Sequence, residues 1–180
     1  MFIRVVLIKQ NFQGSNSGFT LVELIIVIVI VGILAVTAAP RFINFSEDAN
    51  IAVVETVGGT FATAIKLAHF KWQIAGGSGP IDNLDVYGTG ENTLDINANG
   101  WPAQSYIPFE TNPRLDNTND CMSVWRAVLD DNSPTVSTST NMDFQVSYSS
   151  NTCTYALVDQ PELSIFYDSN TGTVTVDSTP

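Results

Sequence analysis

Basic side chains are scarce in this chain. Seven Lys and Arg residues stand against 18 Asp and Glu, and the 180 residues carry a formal net charge of −11. Binding to nucleic acid depends on Lys and Arg that displace the counterions of phosphate, so this deficit argues against nucleic acid as a partner. An acidic, polar chain instead predicts a body whose surface faces water.

Histidine is nearly absent, which limits the enzyme chemistry open to the chain. His69 is the only one, so a Ser/His/Asp or Cys/His triad, or a zinc site of the usual ligand set, would depend on it alone. It lies beside Ile65 and Trp72 at helical spacing, where we expect a packing residue at the edge of a core. For Trp72, Trp101 and Trp125 we likewise expect core packing rather than a sugar-binding surface. The sequence predicts no catalytic residue and no enzyme.

Charge is missing from a long apolar run, with one exception. From Phe19 to Ala39 only Glu23 is charged. As a helix that rises about 1.5 Å per residue, this run crosses the roughly 30 Å hydrocarbon layer of a bilayer. Because Arg4 and Lys9 precede it and the loop that follows is acidic, the positive-inside rule predicts a cytoplasmic N-terminus.

The carboxylate inside this run needs an explanation. Glu23 would cost about 2.5–3.5 kcal/mol at mid-membrane and less near the interface, and such groups usually have a partner. The run itself contains no Lys, Arg or His. A cut between Gly18 and Phe19 would create an α-amino group four residues before Glu23, in its own chain or in a neighbour. The alternatives are a plain signal anchor and a secretory signal cleaved near "VTAAP" (36–40).

The stretch "GFTLVELIIVIVIVGILAVTAAPRF" (18–42) resembles the prepilin signature of type IV pilins and the related pseudopilins. Gly18 stands before the cut, Phe19 after it, Glu23 in place, and Pro40 follows the apolar helix. The resemblance implies that a prepilin peptidase cuts between Gly18 and Phe19 and methylates the new amine. It also implies that Glu23 attracts the positively charged N-terminus of a neighbouring subunit during assembly.

Helical spacing resumes after Pro40, although proline normally breaks a helix. Apolar residues then recur at three- and four-residue steps, at Val54, Val57, Phe61, Ile65, Ala68 and Trp72. The pattern predicts one long kinked helix from about Phe19 to Ala75, ended by "AGGSGP" (75–80). Gly32 and Pro40 are its weak points, and the resemblance implies that this segment can loosen when subunits enter a filament.

The second half of the sequence is typical of a short helix followed by strands. Helical spacing recurs at Val124, Trp125, Val128 and Leu129. Alternating stretches follow and predict an antiparallel meander, at 143–149, 153–159, 163–168 and 173–176. Residues 81–120 are rich in turns and are left unassigned. A sheet on a long helix is an α+β architecture, which is also the fold that the resemblance implies.

The two cysteines, Cys121 and Cys153, lie in this second half. A membrane segment followed by a polar domain would place them in an oxidising compartment, where disulfides persist. The alternative is two unpaired thiols, and we expect the pair. Closing this loop would stabilise the fold by about 3–4 kcal/mol in the chain-entropy description.

One loop has the beginning of a calcium-binding pattern. "DINANG" places Asp95, Asn97 and Asn99 at alternate positions before a glycine, as at the start of an EF-hand loop. Position twelve is Tyr106 rather than Glu, so the bidentate ligand is missing. We expect an ordinary tight turn at Asn99-Gly100, and no cofactor. A second acidic stretch, "LDNTND" (115–120), is expected to be a solvated loop.

The resemblance implies a structural subunit of a type IV pilus, major or minor, for adhesion or pilus biogenesis. The expected organisation is a leader peptide (1–18), a transmembrane or filament-core helix (19–46), its amphipathic continuation (47–75) and a periplasmic head (76–180). The expected partners are other pilin subunits, prepilin peptidase, the inner-membrane assembly machinery and the inner membrane itself. After assembly the subunit would lie in an extracellular pilus or a periplasmic filament.

Three shorter motifs suggest a finer assignment. "TAAPRFINFSEDA", "AHFKW" and "LDINANGWP" resemble pilins of the mannose-sensitive haemagglutinin pilus group, and its minor, biogenesis-type pilin in particular. Two other functions remain open. One is a pseudopilin of type II secretion, and the other is a membrane-anchored periplasmic binding module that never polymerises.

Overall fold

The computed structural model describes residues 18–90, 93–105, 110–129 and 132–180, without the side chains of residues 39–44. The predicted leader peptide, apart from Gly18, lies outside these residues, as does the side chain of Pro40. The chain forms two compact units that divide between Ile43 and Asn44.

A single helix, α1, runs Leu21–Ile74 and confirms the long helix predicted from the sequence. Its end is the predicted glycine stop. Ala75 donates its backbone N–H to the carbonyl of Lys71, and Gly77, with a φ of +60°, donates to the carbonyl of Trp72, both at 3.0 Å. A residue in this left-handed conformation satisfies carbonyls that the last helical turn leaves open. The bend at Gly32 and Pro40 stays a prediction.

In the first unit, α1 is apolar on every side. The segment Leu21–Ala38 has a mean hydropathy of 3.0 and none of it is buried, so by length and composition it is a candidate membrane span. A helix that is hydrophobic all round normally lies in a membrane or inside other protein. Phe45–Ile74 passes the same test with a mean hydropathy of only 1.4, and 28% of it is buried.

In the second unit, one face of α1 enters the core of the head. Five residues of the predicted apolar stripe are buried, and Val57 packs partly buried against them: Val54, Phe61, Ile65, Ala68 and Trp72. The opposite face, with Glu55, Thr60 and Thr63, is exposed. This half of the helix is therefore amphipathic, as its spacing predicted.

The head contains two sheets. The five-stranded sheet has the order β4-β5-β6-β7-β8, formed by Val136–Ser137, Phe144–Ser149, Thr152–Leu157, Gln160–Asp168 and Thr173–Asp177. Its β4–β5 pair is parallel and the other pairs are antiparallel. The antiparallel meander, and with it the α+β fold, is therefore confirmed.

A smaller antiparallel sheet lies in the region that the sequence pattern left unassigned. Its strands are β1 (Ile81–Leu84), β2 (Leu94–Ile96) and β3 (Pro102–Gln104), in the order β1-β2-β3. All residues of β2 and β3 are buried. Strands of three residues buried on both faces show no alternation, which is why the sequence did not reveal them.

The short helix α2 runs Thr118–Val128 and begins earlier than its apolar spacing indicated. Asn117 caps it: its side chain accepts from the N–H groups of Asn119 and Asp120, and the Asp120 carboxylate accepts from the N–H of Asn117 in return. The stretch expected to be a solvated loop is therefore partly this helix start. The disulfide Cys121–Cys153 joins α2 to β6, with the Cα atoms 5.7 Å apart.

Aromatic side chains from α1, α2 and the large sheet meet in the centre of the head. The ring of Phe61 lies 5.5 to 5.7 Å from those of Trp125, Tyr155 and Tyr167. Burial raises the pKa of both tyrosines well above the usual range, so both stay neutral hydrogen-bond donors. Tyr155 donates to the carbonyl of Cys121 (2.8 Å), and Tyr167 donates to the carbonyl of Pro102 (2.6 Å).

The other two tryptophans, Trp72 and Trp101, both make packing contacts in the head. Trp72 is 9% exposed and donates its indole N–H to the carbonyl of Gly79 (2.8 Å). Trp101 is half-buried, and its ring stacks on that of His69 with a centroid distance of 3.9 Å. His69 also contacts the carbonyl of Gly100 through Nδ1 (2.7 Å). The single histidine is thus a packing residue at the edge of the core.

Two adjacent glycines of α1 provide a matched test of this packing. A Cβ at Gly58 would lie 2.3 Å from Cγ2 of Val176 in β8, whereas a Cβ at Gly59 has nothing within 4 Å. We expect Gly59→Ala to raise the free energy of unfolding by about 1 kcal/mol through helix propensity. We expect Gly58→Ala to lower it by about 1–2 kcal/mol, because overpacking outweighs the same gain.

Denaturant unfolding of the full chain in detergent micelles, followed by tryptophan fluorescence, measures both changes. Equal stability of the two variants would contradict the packing of α1 against β8.

Candidate functional site

The predicted cleavage site lies just before α1. Gly18, Phe19 and Thr20 are in no helix or strand and are exposed, and the Phe19 side chain is 90% accessible. A Cβ built on Gly18 meets no atom within 4 Å. The backbone at Gly18 and Phe19 is therefore exposed, outside any helix or strand.

Glu23 closes the first turn of α1 through Thr20. Its Oε2 accepts from the backbone N–H of Thr20 (2.8 Å) and from the Thr20 hydroxyl (2.9 Å). The N–H of Glu23 donates to that hydroxyl in return (3.2 Å). This is a capping box, in which two otherwise unpaired N–H groups of a helix start are satisfied reciprocally.

Reasoning on charge alone missed Thr20. Its signal was present in the sequence, because Thr-x-x-Glu before an apolar run is the pattern of a capping box. The cap gives the carboxylate a role inside its own chain and places it at the positive end of the helix dipole. It does not neutralise the charge.

The second oxygen of the Glu23 carboxylate, Oε1, accepts no hydrogen bond from any described residue. The nearest cation that follows in the sequence is Arg41, 18 positions on, which corresponds to about 27 Å along a helix. Glu23 therefore holds one exposed oxygen that no described residue contacts, and no described residue is a charge partner for it.

Large apolar side chains surround this carboxylate. Leu21, Val22, Leu24 and Ile25 are between 46 and 73% exposed, and the exposed apolar surface continues to Val36. Monomeric soluble proteins rarely expose a continuous patch of this extent. The surface fits a membrane, or the apolar helices of other molecules.

The two predicted weak points of α1 are only partly described. Gly32 lies within the helix with open space around it, so no packing contact requires a glycine there. Position 40 is helical, and the Pro40 side chain lies outside the description. A glycine and a proline inside one helix each lower its stability. The predicted loosening of α1 between Gly32 and Pro40 therefore stays a prediction with which the fold is compatible.

The calcium-like loop folds as a turn between β2 and β3. Oδ1 of Asn97 accepts from the N–H groups of Asn99 (2.9 Å) and Trp101 (3.1 Å). Gly100, with a φ of +85°, donates its N–H to the carbonyl of Asn97. The oxygen that would bind a metal is thus used by the turn itself. Tyr106 lies outside the described residues, among which no group of three His, Cys, Asp or Glu side chains is placed to hold a metal ion.

Asp95 is buried beside this turn, only 1% exposed. Its Oδ1 accepts from the N–H of Asn83 (2.7 Å), while Oδ2 has no hydrogen-bond partner among the described residues. Burial raises the pKa of Asp95, the carboxylates of Asp82 and Glu110 reinforce this shift, and the hydrogen bond from Asn83 and the nearby side-chain amide of Gln104 oppose it. The folded head therefore holds the Asp95 proton more tightly than the unfolded chain does. The contribution of this group to stability is present at low pH and is lost as the pH rises through the raised pKa.

Comparison with known proteins identifies the N-terminal segment. Residues 14–39 match the family described as the prokaryotic N-terminal methylation motif. The chain is 46% identical over 52 residues to the major component of the type IV narrow pilus of Thermus thermophilus. That match covers 29% of this chain and 45% of the Thermus protein. It is 36% identical over 83 residues to a type IV major fimbrial protein of Dichelobacter nodosus. That match covers 46% of this chain and 49% of the fimbrial protein.

A third relative, the type IV major pilin protein of Myxococcus xanthus, is 59% identical over 47 residues, covering 26% of this chain and 21% of that protein. The chain thus spans less than half the length of each relative. Residues 14–39 thus match the methylation motif, and part of the chain is similar to proteins named as type IV pilus and fimbrial components. The names of the relatives are those of structural subunits, in agreement with the prediction that the chain is not an enzyme. No solved structure matches the chain.

The capping box gives a direct test of the site. Thr20→Val removes the hydroxyl that accepts from the Glu23 N–H, so the first turn should lose about 1 kcal/mol. Exchange of the Glu23 amide hydrogen, followed by NMR on the chain in detergent micelles, should become about fivefold faster. Thr20→Ser keeps the hydroxyl and should exchange like the unchanged protein.

Thr37→Val is the matched control, because Thr37 donates to the carbonyl of Leu34 in the middle of α1 (3.0 Å) and not at its start. An unchanged Glu23 exchange rate in Thr20→Val would rule out the cap.

Proposed function

We propose that this chain is a structural subunit of a type IV pilus, made as a membrane-anchored precursor and assembled through the first part of α1. The observation that carries the proposal is the exposed, wholly apolar helix start with the carboxylate of Glu23 in its first turn. That helix start coincides with the methylation motif. The relatives named as pilus and fimbrial proteins support the same function.

Processing would occur between Gly18 and Phe19. The accessibility of this segment and its lack of regular structure support cleavage there by prepilin peptidase. The cut leaves the α-amino group of Phe19, methylated and positively charged, directly before the capping residue Thr20. Residues 1–18 are then a leader, 19–46 the membrane and filament-core helix, 47–75 its amphipathic continuation and 76–180 the head.

Assembly would be driven partly by charge. An amine and a carboxylate 4 Å apart attract by about 4 kcal/mol at an effective dielectric constant of 20. Keeping the carboxylate within a bilayer costs about 2.5–3.5 kcal/mol at the centre and less near the interface. The two energies are of the same size, so Glu23 is tolerable in the membrane and its partner compensates for it in the filament. The free Oε1 supports this role.

Before assembly, the N-terminus would lie in the cytoplasm and the acidic head in the periplasm, anchored in the inner membrane by the Leu21–Ala38 segment. The partners would be other pilin subunits, the peptidase and the inner-membrane assembly machinery. Afterwards the subunit would lie in an extracellular pilus. Its membership of the mannose-sensitive haemagglutinin group, as a minor biogenesis-type pilin, rests on the three short sequence motifs alone.

A single substitution can remove the charge of Glu23 while keeping the shape of its side chain. Glu23→Gln keeps the size of the side chain and an oxygen acceptor for Thr20 but removes the charge. We expect the subunit to accumulate normally in the membrane. The filaments recovered by shearing cells should fall by about two to three orders of magnitude, because an attraction of about 3–4 kcal/mol is lost.

Glu55→Gln is the control, since Glu55 is an exposed carboxylate of the same helix within the second unit. It should leave filament yield unchanged. A Glu23→Gln subunit that assembles as well as the unchanged one would contradict the proposal, and so would an unchanged subunit that is found only as an anchored monomer.

A further inference from the structure

Four loops of the head enclose a small polar pocket of about 290 Å³, which we call the Asn pocket. They are the β2–β3 turn, the loop before α2, the β5–β6 turn and the β7–β8 turn. The lining includes five asparagines and one arginine: Asn97, Asn99, Asn112, Arg114, Asn151 and Asn170. Ligand pockets usually measure roughly 300–1,000 Å³, so this one has room for a single ring and not for a chain.

The charge of the Asn pocket is opposite to that of the protein. The chain carries 18 Asp and Glu residues and a net charge of −11. Among the described residues, however, the pocket lining contains Arg114 and no carboxylate, although Asp168, outside the lining, accepts from the side chain of Asn170 (3.0 Å). When the Asn112 amide is oriented with its oxygen towards Arg114, that oxygen accepts from Nε at 3.3 Å and from Nη2 at 3.0 Å. Most of the five N–H donors of the guanidinium therefore remain available to a ligand.

Hydrogen bonds between the loops hold the pocket in shape. The buried Asn97 donates from Nδ2 to the carbonyl of Ser169 (2.6 Å), and Ser169 donates its N–H to the carbonyl of Asn151 (3.1 Å). Asn99 donates to the carbonyl of Asn170 (3.3 Å). Three turns that are distant in the sequence are thus tied together. A site already in its bound shape loses little entropy when a ligand binds.

We propose that the Asn pocket binds an acidic monosaccharide unit, with the sugar carboxylate on Arg114 and the hydroxyls on the asparagine amides. A guanidinium matches a carboxylate with two parallel hydrogen bonds. The amides of Asn99, Asn151 and Asn170 each donate one hydrogen bond within the protein. Because an amide NH2 carries two donors and an amide oxygen two acceptor sites, these side chains keep capacity for the hydroxyls of a sugar. None of the described residues that line the pocket is aromatic, so the lining offers no ring on which a nucleic-acid base would stack.

The test is a titration of the full chain in detergent micelles with glucuronate, glucose and acetate, followed by NMR or calorimetry. We expect glucuronate to bind with a dissociation constant on the order of 1 mM, as befits a ligand of its size. Glucose and acetate should each bind about tenfold more weakly or worse, since each lacks one of the two groups that the pocket recognises.

Two variants assign the binding to this pocket. Arg114→Gln removes the cation, and Asn112→Asp places a carboxylate beside it. Both positions are exposed, so we expect both variants to keep the fold. An unchanged midpoint of denaturant unfolding would verify this. Each should weaken glucuronate binding about tenfold or more. Lys66→Gln, which removes an exposed positive charge from α1, should not change it.

Three results would overturn the proposal. They are no binding of glucuronate, equal binding of glucuronate and either acetate or glucose, and glucuronate binding that survives both Arg114→Gln and Asn112→Asp.

Discussion

The rest of this molecule depends on one constraint, a single carboxylate in an otherwise apolar helix start. The capping box with Thr20 satisfies one oxygen of Glu23 and two N–H groups. The nearest cation that follows in α1 is Arg41, 18 positions away and too far to pair with it. The exposed apolar surface around it cannot remain in water. Both features become favourable only when a membrane or other helices surround the segment and a positive charge arrives.

The head is stabilised differently. It has a polar surface suited to water, and one face of α1 forms part of its core. The buried stripe from Val54 to Trp72, the aromatic centre at Phe61 and the Cys121–Cys153 disulfide tie the helix, α2 and the large sheet together. Within the part of the chain that the structure describes, only Asp95 and Asp120 among the acidic residues are buried. A stable, acidic head on a helix that is apolar at its start suits a subunit that moves from membrane to filament.

Periodic features were predictable from the sequence, and features created by tertiary packing were not. The spacing of Val54, Phe61 and Ile65 predicted the buried face of α1, and alternation predicted strands β5 to β8. Strands β2 and β3 are too short to alternate, so the small sheet was missed. The Asn pocket combines side chains as distant as Asn97 and Asn170, which only folding brings together. Thr20 was readable but was overlooked beside the charge of Glu23.

The N-terminus of the mature protein tests the central claim most directly, because both the positive charge and the start of the assembled helix depend on it. Intact mass spectrometry with N-terminal sequencing of the membrane-extracted protein would determine it. The account predicts a chain that begins at Phe19 and carries one added methyl group. A chain that still begins at Met1, or one that begins near Pro40, would contradict it.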